Sequence, residues 1–176
     1  GNIIGGLNAA HGSMTPFDLD GTTMTLDVNQ IGNNNKMLGD ITSDTFTGIF
    51  DFDGDTNSYT IQVDPTNTYS ADNSNVNVAT NALASGADID TIVQGDSNTV
   101  NIDLDVDSAT NYIDLDGDSN TVNYDGDGYA SGYFKLEHDG NSRSFDVDQQ
   151  STLDNDWLRI TSNGNNGTVC VNQDDQ

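Results

Sequence analysis

The chain has 176 residues, with four lysines and arginines against 29 acids and a formal net charge of -25 at pH 7. So few cations exclude a nucleic-acid face that neutralises phosphates and adsorption to an anionic membrane, and no apolar run reaches the roughly 18 residues of a membrane span. All the acids except Glu137 are aspartates; aspartate competes for backbone hydrogen bonds in turns rather than supporting helices, so a turn-dense, all-β chain is expected.

Residues 1–20, with small side chains and Pro16, read as a lead-in or assembly segment with room for a short helix. Residues 21–176 read as a β-repeat domain. Its first strand alternates Met24, Leu26 and Val28 with Thr25, Asp27 and Asn29. A period of two sets one face on a core and the other in water. This strand runs into Gly32-Asn33-Asn34-Asn35, the first of a series of Gly-x-x-Asn turns. The second, Gly54-Asp55-Thr56-Asn57, leads into Tyr59, Ile61 and Val63, which alternate with Thr60, Gln62 and Asp64. A degenerate copy, Asp72-Asn73-Ser74-Asn75, precedes Val76 and Val78.

The word Gly-Asp-Ser-Asn-Thr-Val-Asn then occurs twice unchanged, beginning at Gly95 and at Gly117. After the first copy, Val100, Ile102, Leu104 and Val106 alternate with Asn101, Asp103, Asp105 and Asp107. Turns at Gly140-Asn141 and Gly164-Asn165 continue the series ahead of Phe145/Val147 and Val169/Val171. A second set of breakers, around Pro65, Gly86, Ser108 and Gly126, halves the intervals. Two short strands per unit of about 22 residues predict a β-solenoid, which buries its core between neighbouring rungs.

Val28-Asn29-Gln30-Ile31-Gly32-Asn33-Asn34-Asn35 reads V-x-Q-x-G-x-x-N. It resembles the curlin repeat of bacterial curli fibres, whose units carry Gln-x-Gly-x-x-Asn in strand-turn-strand order. Val147-Asp148-Gln149 and Val93-Gln94-Gly95-Asp96-Ser97-Asn98 are looser echoes. The resemblance implies stacked two-strand rungs, Gln and Asn ladders along the stack, and head-to-tail self-association. Curlin-like repeats also occur in structural proteins of phage particles. The uneven spacing and aspartate-rich outer positions depart from the curli pattern and fit that setting at least as well.

Candidate chemistry is sparse. Asp51, Asp53 and Asp55, and again Asp114, Asp116 and Asp118, alternate towards a turn, where oxygen ligands for calcium can gather. An EF-hand is excluded, since the sixth and twelfth positions from Asp51 are Thr56 and Gln62; the bland alternative is a solvated, turn-forming row. No catalytic or cofactor-binding residue is assigned. His11 and His138 are the only histidines, both expected to be exposed in turns, and no nucleophile elbow, phosphate loop or zinc spacing occurs.

Cys170, the one cysteine, is expected to be a small buried side chain. Tyr124, Tyr129, Tyr133 and Phe134 read as core or interface packing, with carbohydrate contact as the alternative, and Trp157 as a packing anchor or subunit contact. The function expected is a non-enzymatic structural protein on a virion surface or fibre. Its partners would be copies of itself and other virion or cell-surface proteins, with no nucleic acid and no membrane insertion. The competing readings are a curli-like extracellular filament subunit and a calcium-stabilised β-solenoid adhesin that binds glycans.

Overall fold

The structure, a computed structural model, describes residues 3–4, 6–7, 14–32, 34, 36–53, 57–63, 75–84, 87–106, 108–128, 131–151 and 156–175. Three short strands, β1 (Ile3–Ile4), β2 (Gly6–Leu7) and β3 (Met14–Thr15), precede two long ones, β4 (Phe17–Ile31) and β5 (Lys36–Asp53). Then follow β6 (Asn57–Val63), β7 (Asn75–Ala84), β8 (Ala87–Gln94), β9 (Thr99–Val106) and β10 (Ser108–Asp116). The last are β11 (Thr121–Gly128), β12 (Ser131–Asp139), β13 (Ser144–Ser151), β14 (Trp157–Asn163) and β15 (Thr168–Asp175). Among the described residues there is no helix. The fold is an all-β solenoid of about five turns, a parallel sheet of 13 strands; β2 and β3 form a separate antiparallel pair. Of the lead-in, Phe17 to Asp20 already belong to β4, in register with β5.

The sheet folds over at β5. Residues 36–41 of β5 pair with β6, after which β8, β10, β12 and β14 form a first wall. Residues 47–52 pair with β7, after which β9, β11, β13 and β15 form a second. The walls face each other across the core: the Tyr124 and Phe134 rings are 4.2 Å apart and those of His138 and Phe145 5.2 Å. The alternation read from the sequence orients each strand. Val100, Ile102 and Leu104 are buried while Asp103 is exposed, and Tyr59, Ile61 and Val63 are buried. The side chains of Asp105, Val106 and Asp107 lie outside the described residues.

The duplicated words stack directly on each other. In their turns Gly95 N donates to Asp116 O at 2.8 Å and Ser97 N to Asp118 O at 2.8 Å. Gly117 takes a φ of +124° and Ser119 one of +64°, the left-handed region that glycine enters at no steric cost. A Cβ on Gly117 would run into the Gly95 carbonyl, so the close stacking also needs glycine. Side chains continue the ladder. The Asp96 carboxylate accepts from Asp118 N at 2.7 Å, Asp118 from Asn141 N at 2.6 Å, and the Asn141 amide oxygen from Asn165 N at 2.9 Å. Inside the corner Asn98 N donates to Asn120 Oδ1 at 2.9 Å, and both asparagines are buried.

The turns read as one series fall on two opposite corners. That at Gly32 leads into the first-wall part of β5, whereas those at Gly95, Gly117, Gly140 and Gly164 lead into second-wall strands; Gly54 lies outside the described residues. The motif closes half a rung, so either corner can use it. The phase changes between β6 and β7. In β4 and β5 the corner used later is a continuous bend, plugged in β5 by the buried Phe46.

Two expectations are corrected. Cys170 is exposed, because it points outward between Val169 and Val171 on the last strand. His138 is buried at 3 % exposure, because it shares the inward parity of Phe134 and Leu136 on β12 and precedes the turn rather than forming it.

Candidate interaction surfaces

Because the strands are parallel and in register, each outward position becomes a column along the axis, its members about 4.8 Å apart. On the second wall one column runs Asp27, Ile49, Asn77, Asn101, Asn123, Asp146, Cys170. Its asparagines form a ladder: Asn123 Nδ2 donates to Asn101 Oδ1 and Asn101 Nδ2 to Asn77 Oδ1, each at 2.7 Å, and Asn77 Nδ2 to Gly48 O at 3.0 Å. The next column runs Asn29, Asp51, Ala79, Asp103, Asp125, Asp148, Asn172. Like charges directly opposite are destabilising. Both ends of this column carry an amide in place of an acid, Asn29 donating to Asp51 at 3.1 Å and Asn172 to Asp148 at 3.1 Å. Between the two columns lies a trough of about 680 Å³.

The first wall is different. Its outward columns include Thr110, Tyr133, Trp157 and, beside them, Tyr112, Lys135, Arg159. Tyr133 and Trp157 stack at 4.2 Å with ring planes 1° apart. Lys135 Nζ lies 4.5 Å from the centre of the Tyr112 ring and 3.0 Å from Glu137. Tyr112 donates to Glu137 at 2.8 Å and to Asp114 at 3.2 Å. Hydrogen bonds from Lys135 and Tyr112 hold the Glu137 carboxyl below its usual value, whereas burial, then Asp116, raises that of Asp114. The expected aromatic cluster is therefore split: Tyr124 and Phe134 are core, Tyr133 is outside, and Tyr129 lies outside the described residues.

The two proposed calcium groups lie on different walls, with Asp114 and Asp116 side by side on the outward face of β10. Asp51 belongs to the second wall, Asp114 and Asp116 to the first, and Asp118 spends its carboxylate on the turn ladder. Asp55 and the side chain of Asp53 lie outside the described residues. Among the described residues no group of three or more His, Cys, Asp and Glu side chains forms a metal site. Of the histidines, His11 is outside the description, and His138 sits between Ser162 Oγ at 3.2 Å and the Phe145 ring, its pKa lowered chiefly by burial.

The far end of the stack is open. Val169 and Val171 are 42 % and 47 % exposed, although Phe145 and Val147 beneath them are buried. Leu158 and Ile160 are half-buried above the fully buried Phe134 and Leu136. At the near end Phe17, Leu19, Met24 and Leu26 of β4 are likewise only partly buried. Neither end was visible as a site in the sequence, because openness depends on which strand comes last in the stack. A signal was present nonetheless. Thr25-Leu26-Asp27-Val28-Asn29-Gln30 and Thr168-Val169-Cys170-Val171-Asn172-Gln173 share four of six residues and occupy the same columns. Compared with protein families, curated proteins and solved structures, the chain shows no significant match.

Proposed function

We propose that this chain is a non-enzymatic structural subunit that joins copies of itself end to end, β15 of one copy pairing with β4 of the next. The match between these two strands carries the reading. Laid in register, Thr168 meets Thr25, Val171 meets Val28, Asn172 meets Asn29 and Gln173 meets Gln30, and no corner residue is gained or lost between Ser162/Leu19 and Gln173/Gln30. The joint would bury valines that are now exposed, at about 1.5–3 kcal/mol per side chain fully buried. It would also satisfy unpaired strand edges. Asn172 and Asn29 meet where an Asp pair would repel. Gln30 is 3 % exposed with neither amide atom hydrogen-bonded, so a second glutamine stacked on it supplies the missing partner.

A setting outside a particle or cell, on a virion surface or fibre with other surface proteins beside it, suits so acidic a stack in a cation-rich medium. The curlin-like word at Val28 to Asn35 supports the same assembly mode. Calcium enters this reading as a bridge between like-charged carboxylates; a rise in Tm at millimolar calcium beyond that in sodium chloride of matched ionic strength supports it, and equal rises sink it. Electron microscopy of the purified chain tests the assembly. Unbranched filaments or short linear stacks are expected, and Val171→Asp should abolish them. Discrete single copies at high concentration would overturn the proposal.

A further inference from the structure

We infer that the first wall also binds a second copy sideways, its aromatic and cationic strip seated against the trough of the other copy's second wall. The strip is two columns wide. Tyr133 and Trp157, one rung apart, are 39 % and 41 % exposed. Two residues along the same strands come Lys135 and Arg159, half of the chain's four lysines and arginines. The two rings stack on each other along the column, so outward from the wall they turn edges, and the one face left open, that of Trp157, looks along the axis at the end of the stack. A sugar ring needs an open aromatic face to lie on. Ring edges carry partial positive charge and suit carbonyl and carboxylate oxygens.

The trough offers such oxygens at matching spacings. Its sides are the amide and carboxylate columns, also one rung apart along the axis and two residues apart across it. Asn101 and Asn123 can face the rings while Asp103 and Asp125 face Lys135 and Arg159. Ile49 and Ala79, at one end of the trough, add an apolar stretch. Rung spacing is common to every parallel stack, so a cation pair meets a carboxylate pair with no distortion of either wall. The strand-borne cations are confined to the required wall, beside first-wall acids that include Asp114, Asp116 and the Glu137 paired with Lys135. No lysine or arginine occurs in β7, β9, β11, β13 or β15, whereas Lys36, Lys135 and Arg159 lie on first-wall strands. The acidic surface that the strip fits is thus present on the chain itself. Salt must screen the remaining negative charge, and close pairs at the contact are screened less than distant ones.

The test uses the full chain carrying Val171→Asp, so that end-to-end pairing is blocked and the two proposals fail separately. Sedimentation equilibrium in about 0.15 M sodium chloride, near physiological ionic strength, should give reversible association that grows beyond a dimer with concentration, because the contact is heterologous and each pairing leaves one strip and one trough free. Adding Arg159→Glu should weaken it at least ~10-fold, the effect of losing a close charge pair. Lys36→Glu, which changes net charge equally on the same wall, should leave the dissociation constant within about twofold. Copies with Lys135→Glu and Arg159→Glu should pair again when mixed with copies carrying Asp103→Lys and Asp125→Lys, a gain that misfolding cannot produce. A monomer at all concentrations, equal weakening by both single reversals, or no pairing in the mixture overturns the inference. So does a chain that stays monomeric but is held on a polyuronate column through Arg159, which would assign the strip to an acidic glycan.

Discussion

The rung made of β10 and β11 and the rung made of β14 and β15 follow the same plan but differ in what covers them. In the inner rung Ile113, Leu115 and Val122 are fully buried, and the outward positions of its strands include Asp114, Asp116 and Asp125. In the outer rung Val169 and Val171 are exposed, and the corresponding outward positions are Thr161, Asn163 and Asn172. An inner rung tolerates acids because its walls already hold it. At these positions the last rung carries neutral amides and hydroxyls, while β15 ends in Asp174 and Asp175. The difference lies in what covers each rung, and it is what the proposed end-to-end pairing would remove.

The largest expected effect compares Phe134 with Leu158, neighbours in one inward column. Phe134→Ala, at full burial, should cost about 3–5 kcal/mol, whereas Leu158→Ala at the half-buried end should cost less than the ~2–5 kcal/mol of a core leucine. Urea unfolding of dilute protein measures both. Equal losses would break the contrast and mean that the last rung is covered in solution. A Leu158→Ala loss that grows with protein concentration would identify the cover as another copy.

The corners sharpen the same point. Gly117→Ala adds a clash with the Gly95 carbonyl to the strain of a positive φ, whereas Gly32, also at positive φ, has open space around it. Gly32→Ala should cost about 1 kcal/mol, near the lower end of backbone strain, and Gly117→Ala at least ~3 kcal/mol. Similar midpoint shifts in urea would show that stacked turns breathe enough to absorb a methyl group.

Much of this architecture was legible in the sequence, and the reasons for the rest are physical. Alternation at Val100-Ile102-Leu104 and the duplicated word at Gly95 and Gly117 specified strands, rung length and stacking. The phase change was hidden, because a Gly-x-x-Asn turn has the same local chemistry on either corner. His138 was misread because its motif, His138-Asp139-Gly140-Asn141, looks like a turn from its first residue, while parity with Phe134 and Leu136 takes it into the core. The columns were out of reach altogether. Which Asn meets which Asp depends on register across 22 to 24 residues, and the insertion between β6 and β7 breaks any count made along the chain.

A smaller effect concerns Asn111, which sits between Ile89 and Phe134 in the inward column, fully buried, with neither amide atom hydrogen-bonded. Leaving buried polar groups unsatisfied costs about 1–3 kcal/mol. Asn111→Leu should therefore stabilise the fold by an amount of that order, seen as a higher urea midpoint at unchanged slope. At the outer rung the counterpart is Asn172→Asp, which extends the acidic column and should destabilise by only about 0.2–1 kcal/mol while shortening any filaments. A destabilised Asn111→Leu would mean that the amide has partners in solution and that the inner rung is less dry than its burial implies.

The smallest effect is a pH dependence of unusual sign. Burial, then Asp116, holds the Asp114 carboxyl above its ordinary value; burial, then Asp88, does the same for Asp90. The native state therefore binds these protons more tightly than the unfolded chain. Their contribution to stability is present below the unfolded carboxylate range and is lost as pH rises through the folded pKa values. Glu137, held low by Lys135 and Tyr112, works the other way, its contribution being lost as pH falls through its folded pKa. Asp114→Asn should thus raise Tm at pH 7 and leave it nearly unchanged once Asp114 is protonated in both states. In the outer rung Thr161 is two rungs from Asp114 in the same column, and Thr161→Val should shift Tm equally at both pH values. If Asp114→Asn lowers Tm at pH 7, then the hydrogen bond from Tyr112 outweighs burial and Asp116, and the inner wall gains from its acids.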